Sequence, residues 1–192
     1  MNKIKIAKTE YKVHELIKNR WSARSFSEQP ITEETALTLI EAATWSFSSS
    51  NEQPWRFIYG LKGSETFNKI LESLMPGNTP WAKNAGAFVV CIAKTTSDRE
   101  GNPINPAAEL DLGSANMLLI LQALTMDIYA HPMGGFDRKK LSETFNLENN
   151  LKPMVVIALG YLDAAEKLNE PYRTRELTPR TRKPLSEIIL NR

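Results

Sequence analysis

Residues 87–93 read Ala-Phe-Val-Val-Cys-Ile-Ala, an apolar run with no polar residue at alternate positions. A half-buried strand alternates polar and apolar residues, whereas a strand in the middle of a covered sheet is apolar on both faces. The run therefore predicts a central strand. Residues 154–159 have the same character and predict a second one. Together they indicate a sheet with helices packed on both of its sides.

Further elements are predicted outward from these two strands. Thr32 is a good N-cap, and the apolar residues after it recur at helical spacing until about Ser46. The other predicted elements are a strand over 55–59, a helix from Ser64 that ends at the Pro- and Gly-rich stretch 75–80, an exposed loop over 95–106, a helix over 109–126, a loop over 131–137 and a short helix containing Leu141 and Phe145. The 109–126 helix is apolar almost all round, which indicates burial in a core or a subunit interface.

The bulk composition is that of a globular protein. The chain has 192 residues, of which 42% are hydrophobic and 24% are charged, and its net charge is +2. We expect one domain over residues 1–192, with residues 166–192 as a C-terminal arm that packs on a partner subunit. Acidic and basic residues are interspersed except for a basic excess at 173–183, so we expect no nucleic-acid partner.

Cysteine content and the N-terminus predict the cellular location. Cys91 is the only cysteine, so an intrachain disulfide and a thiolate metal cluster are both excluded. Its apolar neighbours indicate a buried, inert thiol. Residues 1–17 carry scattered charges and no apolar core of signal-peptide length, and no apolar stretch is long enough to span a bilayer. We expect a cytoplasmic protein without a membrane partner.

Arg20, Ser22 and Arg24 stand at every second position of the stretch Arg-Trp-Ser-Ala-Arg. On an extended backbone these three side chains share one face. A guanidinium offers a planar fork of donors that suits a phosphate or an anionic ring edge. The stretch is therefore a candidate site for a phosphorylated cofactor. The alternative is an ordinary solvated strand or arm, which is the commoner origin of such a pattern.

Three other segments carry more polar or flexible residues than folding requires. Residues 48–55 (Ser-Ser-Ser-Asn-Glu-Gln-Pro-Trp) offer amides that pair with the edge of a heteroaromatic ring, or they form a helix C-terminal turn. Residues 131–137 hold two adjacent glycines, which allow close approach to a flat ligand or make a turn between helices. Residues 179–185 present two alternating arginines, as a second phosphate clamp or a solvated basic tail.

Several common chemistries have no support in the sequence. It contains no dinucleotide-binding Gly-x-Gly-x-x-Gly, no phosphate loop and no Gly-x-Ser-x-Gly nucleophile elbow. The two histidines, His14 and His131, have no carboxylate at a recognisable ligand spacing, so no metal site is expected. The chain is typical of one that holds a phosphorylated planar cofactor with its own reactivity.

In this order, the four segments resemble the motifs of the FMN-dependent nitroreductase family. R-x-S-x-R-x-F at 20–26 is similar to the N-terminal flavin motif, and S-S-S-N-x-Q-P-W-x-F at 48–57 to the second signature. M-G-G-F-D at 133–137, G-Y at 160–161 and R-x-R-K-P-L at 180–185 continue the likeness. It extends from about residue 14 to the C-terminus.

The resemblance implies an α+β fold with a central mixed or antiparallel sheet covered by helices. It also implies an intertwined homodimer with two FMN sites at the subunit interface. Arg20, Ser22, Arg180 and Arg182 would hold the FMN phosphate. Arg24 would lie near the N1–O2 edge of the ring, where positive charge stabilises the reduced flavin.

The same resemblance assigns further residues to FMN. The residues expected to reach it from the partner subunit are Ser48, Ser49, Asn51 and Gln53. The residues expected along the ring are Met133, Gly134 and Gly135, with the two glycine backbones near N5 and Asn78 as a weaker ring contact. Trp21 stands where many members have Arg, so we expect it to contribute its backbone alone or to pack on a neighbour. No catalytic side chain is expected, because the flavin would do the chemistry.

The implied activity is a ping-pong reductase that takes a hydride from NAD(P)H onto tightly bound FMN and reduces small-molecule nitroaromatic or quinone-type acceptors. Two alternatives stay open at this point. One is a flavoenzyme of the same fold with another reaction, of the dehalogenase, flavin-fragmenting or dehydrogenase type. The other is a flavin-binding protein without turnover.

Overall fold

The computed structural model describes residues 3–191. The strands are β1 (Trp55–Leu61), β2 (Ala87–Lys94), β3 (Ile128–Met133) and β4 (Leu151–Tyr161). The α-helices are α1 (Glu15–Asn19), α2 (Glu33–Thr44), α3 (Glu65–Leu71), α4 (Thr79–Ala82), α5 (Ala108–Thr125), α6 (Arg138–Thr144) and α7 (Tyr172–Leu177). Within the described residues, no helix combines the length and the apolar character that a bilayer span requires.

The four strands form one sheet in the order β1-β2-β4-β3, and every neighbouring pair is antiparallel. The two predicted central strands, β2 and β4, do lie in the middle of this sheet. The fold is α+β, as expected, and its sheet is antiparallel rather than mixed. Seven residues of β2, 87–93, are buried, which explains the unbroken apolar run in the sequence.

Two hydrophobic clusters lie on opposite faces of the sheet. Phe88, Val90 and Ile92 of β2 belong to one cluster, together with α3, α4 and Trp21. The residues between them belong to the other cluster, with α2 and α5. Because side chains alternate along a strand, an apolar β2 can contribute to both clusters. The prediction of helices on both sides of the sheet is confirmed.

Local capping explains where several helices begin. The Thr32 hydroxyl accepts a hydrogen bond from the Thr35 amide at the start of α2, and Ser64 and Asp137 cap α3 and α6 in the same way. α3 is shorter than predicted, since it ends at Leu71 and not at residues 75–80. The helix α4 was not predicted. It begins inside that stretch, with Pro80 in its first turn, where a backbone N–H would have no partner within the helix and is therefore not missed.

The prediction of a loop over residues 131–137 is wrong for its first part. His131, Pro132 and Met133 belong to β3, and only the residues after Met133 form the loop. Proline within a strand normally argues against a central position. β3 is one of the two edge strands of the sheet and pairs with β4 alone, so Pro132 is tolerated there.

Candidate functional site

Residues 20–26, here called the arginine segment, have the alternation that the sequence predicts. Trp21 and Ala23 are buried, whereas Arg20, Ser22 and Arg24 are half-buried. Three polar side chains thus lie along one side of an extended backbone, and the apolar ones face the core. The candidate face therefore exists as a continuous feature.

Backbone hydrogen bonds fix the arginine segment against the end of β4. Phe26 forms an antiparallel bridge with Leu162, and the amide of Asp163 donates to the carbonyl of Ser25 at 3.0 Å. The Phe26 ring packs directly against Gly160, where an added Cβ would lie 2.5 Å from ring atom Cδ1. Gly160 is therefore needed for close packing of this segment on the sheet.

The Trp21 side chain does not share the face of the three polar residues. Its ring is buried and meets Tyr129 edge-on, with 6.0 Å between ring centroids. The ammonium of Lys5 lies 4.9 Å from the Trp21 ring centroid, a cation–π contact. Trp21 thus packs on its neighbours, and it has only its backbone to offer a ligand beside the arginines.

The C-terminal arm brings Arg180 and Arg182 to Arg20. The Arg180 guanidinium donates to the backbone carbonyls of Lys18 and Arg20, and its buried Nε has no partner among the described residues. The arginines found in ion pairs in the described chain are others, Arg99 and Arg173.

The three guanidinium groups of Arg20, Arg180 and Arg182 repel one another at the edge of a cavity. Burial lowers the pKa of Arg20, and Arg182 lowers it further; burial and then Arg20 lower the pKa of Arg180. All three arginines line a cavity of about 520 Å³ between the arm and residues 7–17. A bound anion would relieve this repulsion, so the cluster suits a phosphate.

The loop over residues 48–53 is held in a strained backbone conformation. Ser50, Asn51 and Gln53 all have positive φ, at 52°, 56° and 47°. Such angles are uncommon for residues other than glycine and mark functional sites when the surroundings enforce them. The amide of Ser49 donates to the buried Asp111 carboxylate, and the amide of Gln53 donates to the Ser48 hydroxyl.

This loop lies apart from the arginine segment within one chain. Asn51 and Gln53 line a different cavity, also of about 520 Å³, together with Arg56 and Arg99. None of the residues lining it lines the cavity at Arg20. Within one copy of the chain, these two cavities are thus lined by different halves of the predicted site.

The glycine loop, residues 134–137, directly follows β3, whose residue His131 contacts the arginine segment. Met133 is buried at the end of the strand, and the Gly135 carbonyl accepts from the Asn78 side chain at 3.0 Å. An added Cβ at Gly135 would lie 2.9 Å from that Asn78 amide, whereas one at Gly134 would meet nothing within 4 Å. The Gly134 backbone thus borders open space that a flat ligand can enter.

Two aromatic rings join the arginine segment to this loop. His131 Nδ1 lies 2.9 Å from the Ala23 carbonyl, to which it donates, and its ring lies 4.4 Å from that of Trp81. The Arg24 guanidinium lies 5.8 Å from the Trp81 ring centroid. Burial, followed by the positive charge of Arg24, lowers the pKa of His131 to about 4. His131 is thus neutral at pH 7 and fixes the backbone next to Arg24.

Sequence reasoning missed two residues beneath this face. Glu176 of α7 is buried and accepts hydrogen bonds from the amides of Arg24 and Ser25. Lys5 donates to the carbonyls of Arg175 and Thr178 at the end of α7. A buried charge is expensive unless it is paired, but the sequence gives no sign that these positions are buried.

Cys91 takes no part in this arrangement. Its thiol is buried inside β2, and burial raises the pKa well above the usual value for a thiol. Within residues 3–191 there is also no group of three or more His, Cys, Asp or Glu side chains arranged to hold a metal ion.

A model of the nitroreductase family matches residues 17–161 of the chain. The protein belongs to the nitroreductase family. The match includes the arginine segment, the 48–53 loop and the glycine loop, while the C-terminal arginines lie beyond it. The resemblance drawn from the motifs is therefore confirmed at the level of the family.

Individual nitroreductase relatives agree over most of their length. A solved structure described as an oxidoreductase containing FMN is 34% identical, with a TM-score of 0.91, and the match covers 95% of this chain and 93% of that one. A Rhodopseudomonas palustris protein that carries the provisional name NADH dehydrogenase/NAD(P)H nitroreductase is 28% identical over 78% of this chain and 82% of its own.

A nitroreductase-type structure from Desulfovibrio desulfuricans, solved in complex with FMN, has a TM-score of 0.73 at 19% identity, and the match covers 95% of this chain and 97% of that one. At that identity it shows the shared fold alone. Taken together, the family and these relatives support a flavin oxidoreductase.

Proposed function

We propose that this member of the nitroreductase family is an FMN-dependent enzyme that oxidises NAD(P)H and reduces nitroaromatic or quinone-type acceptors by a ping-pong mechanism. The observation that carries the proposal is a set of three arginines: Arg20 and Arg24 on one face of the arginine segment, and Arg182 at the same cavity as Arg20. None of them is ion-paired within the described residues. A surface strand or a solvated tail would not need half-buried guanidinium groups such as Arg20 and Arg180, which repel each other and Arg182.

The residues present fit FMN at both of its ends. A phosphate could accept hydrogen bonds from the guanidinium groups of Arg20 and Arg182 and from the hydroxyl of Ser22. Arg180 fixes the arm through the backbone carbonyls of Lys18 and Arg20, and its buried Nε has no hydrogen-bond partner among the described residues. The open space beside Gly134 suits the flat ring. Bound FMN would supply N5, the atom that accepts the hydride from NAD(P)H before the electrons pass to the acceptor.

Arg24 is the residue that we propose acts on the ring. It is half-buried and lies over the Trp81 ring, while its backbone amide is held by Glu176. A positive charge held in a partly desolvated site stabilises negative charge on an adjacent ring edge more strongly than it would in water. Arg24 would thereby favour the reduced cofactor.

A homodimer would complete the site, since Ser48, Ser49, Asn51 and Gln53 lie apart from the arginines in one chain. Large apolar side chains are exposed on the surface next to that loop: Trp45 is 82% exposed and Phe47 is 68% exposed. Exposed aromatic residues of this size mark protein interfaces. We therefore propose that the 48–53 loop reaches the FMN of a second copy.

The same dimer would use other apolar surface. Leu110 of α5 is 69% exposed and Leu190 of the C-terminal arm is 98% exposed. Packing of residues 166–192 on the partner would bury the arm, as proposed from the sequence. NAD(P)H as the electron donor, tight binding of FMN and the cytoplasmic location stay predictions.

The visible absorption spectrum of the purified protein is the first test. We expect flavin bands on isolation or after incubation with FMN, and bleaching of those bands by NADH or NADPH without oxygen. A protein that stays colourless after incubation with excess FMN and removal of the unbound flavin would falsify the proposal. Equilibrium sedimentation of the same sample tests the homodimer.

Steady-state kinetics separate the proposed reaction from its alternatives. Rapid NAD(P)H oxidation with a nitroarene or a quinone, with parallel double-reciprocal lines, is expected for the ping-pong reductase. Flavin binding with slow turnover of these acceptors would point to another reaction on the same fold. Flavin that NADH and NADPH fail to reduce would indicate a binding protein without turnover.

A further inference from the structure

Glu176 is a buried carboxylate that accepts hydrogen bonds from the backbone of the arginine segment. It lies on α7, is 2% exposed, and its Oε1 accepts from the Arg24 amide at 2.9 Å and the Ser25 amide at 3.1 Å. Its Oε2 is buried without a hydrogen-bond partner among the described residues. This half-satisfied carboxylate is far costlier than a neutral side chain that fills the same space.

Two cations lie near the Glu176 carboxylate without contacting it. Within residues 3–191 it has no ion pair with Lys5 or Arg24, yet its charge acts on both. Burial lowers the pKa of Lys5 and of Arg24, and Glu176 is the largest influence in the opposite direction for each. Arg175 and Tyr172 of the same helix also act on Arg24. The charge of Glu176 thus acts on Lys5 and on Arg24, the arginine proposed to lie at the ring.

From this arrangement we infer that Glu176 sets the reduction potential of the bound flavin: it fixes the Arg24 backbone and offsets part of the Arg24 charge. The inference rests on the proposed function, in which Arg24 lies at the ring edge. Arg24 then raises the reduction potential of the flavin, and the Glu176 charge makes this increase smaller. A reduced flavin with a lower potential transfers its electrons to an acceptor with a larger driving force.

The sign and the size of the effect follow from electrostatics. Reduction adds negative charge to the ring, so a nearby buried negative charge disfavours the reduced form. At an effective dielectric constant of about 20, a unit charge acts appreciably over roughly 10 Å. We expect removal of the Glu176 charge to shift the ratio of reduced to oxidised flavin about tenfold toward reduced, which is about +30 mV for a two-electron couple.

The variant Glu176→Gln separates the charge from the geometry. Its Oε1 still accepts from the two backbone amides, so the arginine segment keeps its position while the charge is lost. The matched control is Glu166→Gln, the same change at an exposed position of the same C-terminal arm. Midpoint potentials are measured against a reference dye under anaerobic conditions, with FMN affinity from fluorescence titration of the apoprotein.

A shift of about tenfold toward reduced flavin in Glu176→Gln, with wild-type behaviour in Glu166→Gln, supports the inference. An unchanged or more negative potential in Glu176→Gln overturns it, even though FMN is bound and reduced. If the wild-type protein binds no flavin, the proposed function fails and this inference fails with it. If flavin is bound and reduced but the potential of Glu176→Gln is unchanged, this inference alone fails.

A second variant keeps the test decisive if Glu176→Gln does not fold. Lys5→Met removes a cation that interacts with the Glu176 charge, so Glu176 should offset more of the Arg24 charge and the potential should fall by a comparable factor. No change in potential overturns the inference. A readout without flavin comes from hydrogen exchange of the Arg24 and Ser25 amides in the apoprotein. Their protection should fall in Glu176→Ala, which removes the acceptor of both amides, and unchanged protection there overturns the positioning role.

Discussion

Gly160→Ala should destabilise the protein, because the arginine segment packs on the bare backbone of this glycine. The added Cβ would lie 2.5 Å from Cδ1, 2.7 Å from Cγ and 3.0 Å from Cβ of Phe26. Phe26 is 5% exposed and lies in the core beside Trp81, so its ring has no free space to move into. Overpacking of a core typically costs about 1–3 kcal/mol of unfolding free energy.

The size of this effect sets the assay. For a protein of this length, 1 kcal/mol shifts the midpoint temperature by about 2–4 °C, so we expect roughly 2–12 °C of loss for the apoprotein at fixed concentration. Because Phe26 is two residues from Arg24, FMN affinity should fall as well. Calorimetry of the apoprotein and fluorescence titration with FMN give the two readouts.

A glycine elsewhere provides the matched control. Gly77 lies in the exposed turn before α4, where an added Cβ would meet nothing within 4 Å. Gly77→Ala should therefore leave the stability unchanged or raise it by about 0.4–1 kcal/mol, because alanine restricts the unfolded chain. Equal or higher stability of Gly160→Ala relative to wild type would refute the packing argument, as would additivity with Phe26→Leu in a double-mutant cycle.

Three further predictions concern single side chains. Arg20→Ala should weaken FMN binding about 10- to 100-fold in apoprotein titrations, with Arg173→Ala as the unaffected surface control; equal affinities would contradict the phosphate role. His131 is neutral in the folded state and takes up a proton on unfolding below pH 6.5. Neutral His131 therefore makes its full contribution to the free energy of unfolding above pH 6.5, and roughly 3 kcal/mol of it is lost as the pH falls toward 4. Urea unfolding should show this loss in wild type and His14→Asn but not in His131→Asn. Asp111→Ala should cost about 1–3 kcal/mol, because it leaves a backbone amide of the 48–53 loop unpaired; unchanged stability would contradict that anchoring.

Regular periodicity made much of the fold predictable. The unbroken apolar run at 87–93 located the central strand, and the i, i+2 spacing of Arg20, Ser22 and Arg24 located one face of the candidate site. Both signals are local, since they depend on the side-chain period of an extended backbone. The edge strand β3 was missed because Pro132 disfavours a strand unless the position is known to lie at a sheet edge.

The rest of the site depends on contacts between distant parts of the chain. Glu176 is 152 residues from Arg24, and Lys5 is 170 residues from Arg175. Neither residue stands in a motif, and charged side chains at such positions are usually exposed. Only the packing of α7 against the arginine segment shows that both are buried, so no reading of local pattern could find them.

The long-range bond between Glu176 and the Arg24 amide also has a consequence for the order of assembly during translation. The arginine segment is made near the start of the chain, and the residues that hold it, 176 and 180, come some 150 residues later. At ~5–20 residues per second, the arm follows the segment by about 8–30 s. The strands, residues 55–161, are all made within that interval, before the arm that completes the proposed cofactor pocket. Under the proposed function, flavin capture would therefore belong to the last moments of synthesis or to the time after release.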